Sequence, residues 1–216
     1  MPIDESAPKG RLILPQQQVI RECLDKGVVV TVCQPGEVQG LKFKVQGSES
    51  VLPFDLVITD SQAFGAVNQT IKQSNNPTIR LTSFSILFAR QKGDLEEYAR
   101  GLAAIRTLKD GDTVLVAEGC THHRQCNDIG AVKVPKALKK LSGAELRLVF
   151  ASGSGFPDFA TAAPKPALVV QCGGCMLTRR AMMNRLNAAR QANVPVVNYG
   201  LLLAAANGLE PEDLVV

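Results

Sequence analysis

The chain of 216 residues contains no tryptophan, two tyrosines and two histidines, and aromatic residues make up 5% of it. Aromatics interleaved with basic residues are absent, which speaks against nucleic-acid binding. The formal net charge of +4 is spread along the sequence. Its densest basic run, Lys136-Ala137-Leu138-Lys139-Lys140, has helical spacing and reads as a solvated face. The opening MPIDESAPKG lacks the apolar segment of a secretory signal. The longest apolar stretch, Val194 to Ala206, is broken by Pro195, Asn198 and Gly200, so it is too short and too polar to cross a bilayer. These absences predict a cytoplasmic protein with neither a membrane nor a nucleic acid among its partners. Also missing is any GxxxxGK[ST] segment, the loop whose backbone cradles nucleotide phosphates.

What is present is ordinary globular material. Apolar residues make up 45% and charged residues 20% of the chain, enough for one large or two small domains with their own cores. Six cysteines stand out. Thiols stay reduced in the cytoplasm, so these read as metal ligands, redox groups or core residues and not as a disulfide framework.

The hydrophobic pattern alternates between strand and helix. Pro15 suits the first turn of a helix whose apolar stripe is Val19, Ile20, Cys23 and Leu24, and Gly27 ends it. Val28 to Cys33 is β-branched and predicts a buried strand. A short hairpin is expected around Leu41 to Val45, then a strand at Leu56 to Asp60 and a helix capped by Ser61. Thr78 to Thr82 predicts another strand, and Ser83 opens a helical turn. After Gly93, Asp94 caps a helix carrying Leu95, Tyr98, Leu102 and Ile105. Strands follow at 113–117, 145–150, 167–171 and 195–199, with helices at 134–141, 176–192 and 201–206. The strands are apolar runs without clean alternation, as in sheets covered on both faces. The expected fold class is α/β: two small domains, 1–91 and 92–216, each a mostly parallel sheet flanked by helices.

The cysteines gain meaning from this frame. Cys120 directly follows one strand, and Cys172, 52 positions later, follows another. Strand ends of a parallel sheet with right-handed crossovers share one edge, where open α/β sheets bind ligands. Cys175 sits one turn beyond Cys172, and Gly173-Gly174 lets the backbone turn sharply between them. A helix expected to open near Cys175 adds partial positive charge that favours thiolates. Three thiols converging on one point suit a metal or a cluster. A zinc site with a histidine as fourth ligand, a [4Fe–4S] cluster with one iron left open, and a Cys172/Cys175 redox dithiol all remain compatible with the pattern. His122 and His123, beside Cys120, are candidates for a ligand, a hydrogen-bond donor or a proton relay. Cys23 and Cys33 read as core or near-surface thiols, and Cys126 as incidental.

The segments AEGCTHHRQCNDIGAVKVPKAL, QCGGCMLTRR and VPVVNYGLLLA resemble the carboxyl-terminal part of the HydF family, the GTP-binding maturation factors of [FeFe]-hydrogenase. APKGRLILPQQQVI, DLVITDSQAF and LTSFSILFARQKGDLEEY are similar to its middle region. Cys120 and His122 match the family's CxH, and Cys172 and Cys175 its HCxxC, with Gln171 in place of the histidine. That departure leaves His122, a carboxylate, water or an outside molecule for the fourth ligand position. The resemblance implies a [4Fe–4S] cluster on Cys120, Cys172 and Cys175. It also implies a scaffold that receives a two-iron precursor with CO and cyanide ligands from radical maturases and delivers it to apo-[FeFe]-hydrogenase. It further implies a homodimer, with 1–91 as dimerisation domain and 92–216 as cluster domain. With no phosphate loop, the chain is expected to begin where the family's GTPase domain ends, and GTP hydrolysis is not assigned to it.

Overall fold

A computed structural model of the protein describes residues 1, 9–40, 43–45, 48–50, 55–73, 79–119 and 129–209. Its contacts divide the chain into two compact units, one ending at Phe84 and the other beginning at Ser85.

The first unit opens with α1 (Leu14–Asp25), which has Pro15 in its first turn. The buried side chain on this helix is polar: Gln16 accepts from the Ile13 N–H at 3.1 Å and donates to Asp60 Oδ2 at 3.3 Å. Of the expected apolar stripe, Val19, Ile20 and Cys23 are half-buried and Leu24 is exposed. Gly27, at φ +68°, then turns the chain. The expected strand at Val28 to Cys33 is not formed: these residues join no ladder, and Val29 is 89% exposed. β-branched residues favour an extended backbone, but a strand also needs a neighbour to bond with, and propensity does not supply one.

A short antiparallel pair follows, β1 (Phe43–Val45) with β2 (Ser48–Ser50). Beyond it, β3 (Leu56–Thr59) and β4 (Arg80–Ser83) form a two-stranded parallel sheet, with Ile58 opposite Thr82. Between them α2 (Phe64–Gln73) buries Phe64, Val67 and Ile71 along one face. Ser61 does not cap this helix as expected. It opens a 3-10 turn, and its hydroxyl donates to Ser83 Oγ at 2.9 Å, joining the ends of β3 and β4. A cavity of about 180 Å³ lies between α1, the extended Val28–Cys33 segment and β3.

The second unit is a four-stranded, fully parallel sheet built from β5 (Thr113–Ala117), β6 (Arg147–Ala151), β7 (Leu168–Gln171) and β8 (Val196–Asn198), in the order β6-β5-β7-β8. The strands β5, β7 and β8 are wholly buried, which explains their unbroken apolar sequence. Edge strand β6 is largely exposed, including Val149 and Phe150. The helices are α3 (Phe84–Lys92), α4 (Leu95–Ala104), α5 (Val134–Ser142), α6 (Arg179–Gln191) and α7 (Tyr199–Ala206). As expected, Asp94 caps α4, accepting from the Glu97 N–H at 3.2 Å. In α5, Val134, Ala137 and Leu138 are buried while Lys136, Lys139 and Lys140 are exposed, so the basic run is indeed a solvated face. Helix α6 starts later than expected, at Arg179. Thr178 caps it, accepting from the Ala181 N–H at 3.2 Å, and Cys175 lies in the preceding turn.

The protein is thus α/β with parallel sheets, as the sequence predicts. The apolar run Leu81 to Phe88 suits either a subunit interface or an ordinary buried strand and helix by its sequence, and Leu81, Phe84, Ile86 and Phe88 are buried within the chain. Among the described residues of the first unit, the exposed large apolar ones are Leu12, Leu14, Leu24, Val28, Val29 and Val32. Among the described residues, no helix is long and apolar enough to cross a membrane.

Candidate metal centre

The sheet order creates a switch point. From β5 the chain proceeds to β6 on one side, and from β7 it proceeds to β8 on the other. The segments leaving β5 and β7 therefore diverge, and a crevice opens between the carboxyl ends of these two strands. Ala117 of β5 and Gln171 of β7 are the last register partners before that crevice.

Cys172 stands at its lip. Its N–H continues the ladder to Ala117 O at 2.9 Å, and its sulfur accepts the main-chain N–H of Gly119 at 3.0 Å. The Gln171 amide adds a second, longer contact, Nε2 to Sγ at 3.5 Å. Gly174 takes φ +66°, where L side chains are strained, and a Cβ there would collide with Met182 Cε. Gly173 runs against Ser85, with 3.1 Å from an added Cβ to Ser85 Oγ. The two glycines therefore allow a tight turn that carries Cys172 and Cys175 along one rim.

Two cations hold this rim. Lys92, at the end of α3, donates to the carbonyls of Gly174 and Cys175, both at 3.0 Å, and lies over the Phe88 ring at 4.5 Å. Arg185, on α6, donates to Glu118 O at 3.2 Å, to Gln171 Oε1 at 3.3 Å and to Gly153 O, and it stacks over Phe156 at 4.8 Å. One guanidinium thus ties together the segments following β5 and β6 and the end of β7. Burial pulls Lys92 below the usual ammonium value, while the sulfurs of Cys175 and Cys172 push it back up. Burial likewise lowers Arg185, and Cys172 opposes that shift. Tyr98 is raised well above the ordinary phenol range, mainly by burial and then by Cys172. The sulfur of Cys172 thus lies close enough to both Lys92 and Arg185 to act on them electrostatically.

Of the residues singled out in the sequence, Cys172 and Cys175 are brought to one rim. Cys120, His122, His123 and Cys126 lie outside the described residues. Gly119, directly before Cys120 in the sequence, is bonded to the Cys172 sulfur. Cys23 and Cys33 are free, half-buried thiols that line the cavity of the first unit. Among the described residues, no three His, Cys, Asp or Glu side chains gather as a metal-binding group. Lys92 and Arg185 carry no signal in the sequence. Both sit in helices rich in basic residues, and nothing in their spacing marks them off from solvated neighbours.

The resemblance implies a cluster held on thiolates. A sulfur receiving a main-chain N–H, two cations coupled to it, and two consecutive positions without Cβ all suit a bulky anionic group on thiolates. Cys172 and Cys175 with these neighbours fit such a group, and Cys120 lies outside the described residues.

Fold and site together define a two-unit α/β protein with a thiol-bearing sheet edge at a topological switch point. A family model described as the hydrogen maturase F dimerization domain matches residues 1–93, and one described as the hydrogen maturase F tetramerization domain matches residues 96–214. The chain belongs to the hydrogen maturase F (HydF) family and takes part in hydrogenase maturation. Both descriptions concern self-association. No individual curated protein matches the chain.

Proposed function

We propose that the second domain, residues 92–216, is a scaffold that holds a [4Fe–4S] cluster on Cys120, Cys172 and Cys175 for the maturation of [FeFe]-hydrogenase. The observation that carries this reading is the 3.0 Å bond from the Gly119 N–H to Cys172 Sγ. It ties the segment that continues directly into Cys120 to the sulfur of the CxxC turn. A cluster on three cysteines supplies an iron with an exchangeable position, to which His122, a carboxylate or water can bind and be displaced.

In this reading the scaffold accepts a two-iron precursor with CO and cyanide ligands from radical maturases and passes it to apo-hydrogenase, in the cytoplasm. Residues 1–91 hold two copies together. The exposed apolar residues between Leu12 and Val32 support that assignment, because monomers rarely leave such patches uncovered.

Anaerobic reconstitution with iron and sulfide tests the reading. The expected result is about four irons and four sulfides per chain, with the EPR signal of a reduced cluster, lost on changing Cys120, Cys172 or Cys175 to alanine. One zinc without sulfide, a titratable Cys172–Cys175 disulfide without iron, or full signal in all three variants would each overturn it.

A further inference from the structure

We infer that Gln171 is a positioning residue, which Arg185 turns N–H-first toward the sulfur of Cys172, and that this pair raises the reduction potential of the centre. The inference rests on the function proposed above and concerns residues to which that proposal gives no role.

A glutamine amide has an accepting end and a donating end, and its neighbours decide which way it faces. Arginine has donors only. The Arg185 Nη1 at 3.3 Å therefore requires the oxygen of Gln171 on its side, and the NH₂ group is left facing Cys172, 3.5 Å from Sγ and 3.4 Å from the carbonyl O. A free amide could flip, but this one cannot do so cheaply. Gln171 is 1% exposed at the end of a central strand, and flipping would set its NH₂ against a guanidinium, donor against donor.

Arg185 cannot swing away either. Its Nη1 also donates to Glu118 O, its Nη2 donates to Gly153 O, and the Phe156 ring lies against its face. Three strand ends thereby fix the direction of one side-chain N–H bond. A donor aimed at a ligating sulfur stabilises the more negative, reduced state of a cluster more than the oxidised one, and hydrogen bonds to sulfur are an established means of setting potential.

The experiment is an EPR-monitored redox titration of the full chain, anaerobically reconstituted. Gln171→Glu keeps an acceptor for Arg185 and removes the donor. It is expected to disfavour reduction by about tenfold, a fall of about 59 mV for one electron. Gln171→Leu removes both ends and is expected to shift the potential in the same direction. Arg185→Lys keeps the charge and loses the planar fork, so the amide is no longer held; the expected result is a smaller fall with a broadened EPR signal. If Gln171→Leu does not fold, Gln171→Glu and Arg185→Lys carry the test. Clusters that form in these variants with the unaltered potential overturn the inference and leave the proposed function standing. Failure of the unaltered chain to assemble any cluster overturns both.

Discussion

Gly101 of α4 lies directly on the main chain of Val196 in β8. A Cβ at position 101 would overlap the Val196 carbonyl and stand 2.8 Å from Val197 N. Helix and strand touch there backbone to backbone. Gly101→Ala must push α4 off the sheet, since neither obstructing group is a movable side chain. The expected cost is about 3 kcal/mol. That corresponds to a fall in Tm of about 6–12 °C for a chain of this size. Thermal unfolding checks it, and an unchanged Tm would show that the helix does not rest on that strand.

Gly119 is confined for a different reason. A Cβ there would come within 2.8 Å of Leu177 Cγ and 3.0 Å of its Cδ1. Leu177 belongs to the turn just beyond Cys175, and its side chain must shift to admit the methyl group. Gly119→Ala is expected to lower stability by only about 1 kcal/mol. Iron affinity should fall more, by about tenfold, as for other residues that orient metal ligands. Iron retained against a chelator, compared with the unfolding midpoint, separates the two effects. Equal retention by variant and parent would remove the 119–172 bond from the centre.

Glu97 carries a pH dependence that can be worked out. Burial alone would raise its carboxyl, but hydrogen bonds from Arg100 at 2.6 Å and from Arg190 at 3.0 and 3.1 Å outweigh it and hold the group below its ordinary value of 4.5. A lowered folded value means the stabilisation is fully present above 4.5 and is lost as pH falls through the lower value. Both arginines are substantially exposed, so the contribution is about 1 kcal/mol. Glu97→Gln should therefore be less stable than the parent near neutrality, and the difference should close in acid. Urea unfolding of both proteins across that range measures it; a gap that widened in acid would reverse the sign.

Val29 and Val32 offer a test of self-association. Both are exposed in the extended segment, at 89% and 52%. Val29→Asp with Val32→Asp should shift sedimentation toward smaller species and leave the unfolding midpoint of dilute protein within about 0.5 kcal/mol, as for surface substitutions. Unchanged sedimentation would clear this segment of a part in the interface.

The ease with which the sequence yields its fold differs between the two units. In the second, β5 and β7 are apolar runs bounded by turn residues, and burial on both faces makes such runs unmistakable. Asp94 announces α4 because a carboxylate before Leu95 has one evident use. The Val28–Cys33 segment has the same β-branched signature and no ladder, since a one-chain pattern does not say which neighbour a strand will find. At the site, Cys172 and Cys175 were legible from two glycines and a strand end. Arg185 was not, because its role depends on three carbonyl and amide oxygens far apart in the sequence. The helix α6 begins three residues later than the apolar pattern suggests: Met176 and Leu177 extend that pattern, but the threonine cap at 178 decides where the helix begins.

The donor that Gly119 presents to Cys172 belongs to the peptide unit and is not encoded by a side chain. Mutational drift at position 119 can crowd that donor, but only an exchange to proline deletes it. The Gln171 donor has no such immunity, since almost any codon change there erases it or reverses it. One sulfur is thus served by a hereditary constant and by an adjustable setting, and evolution can retune the second without endangering the first.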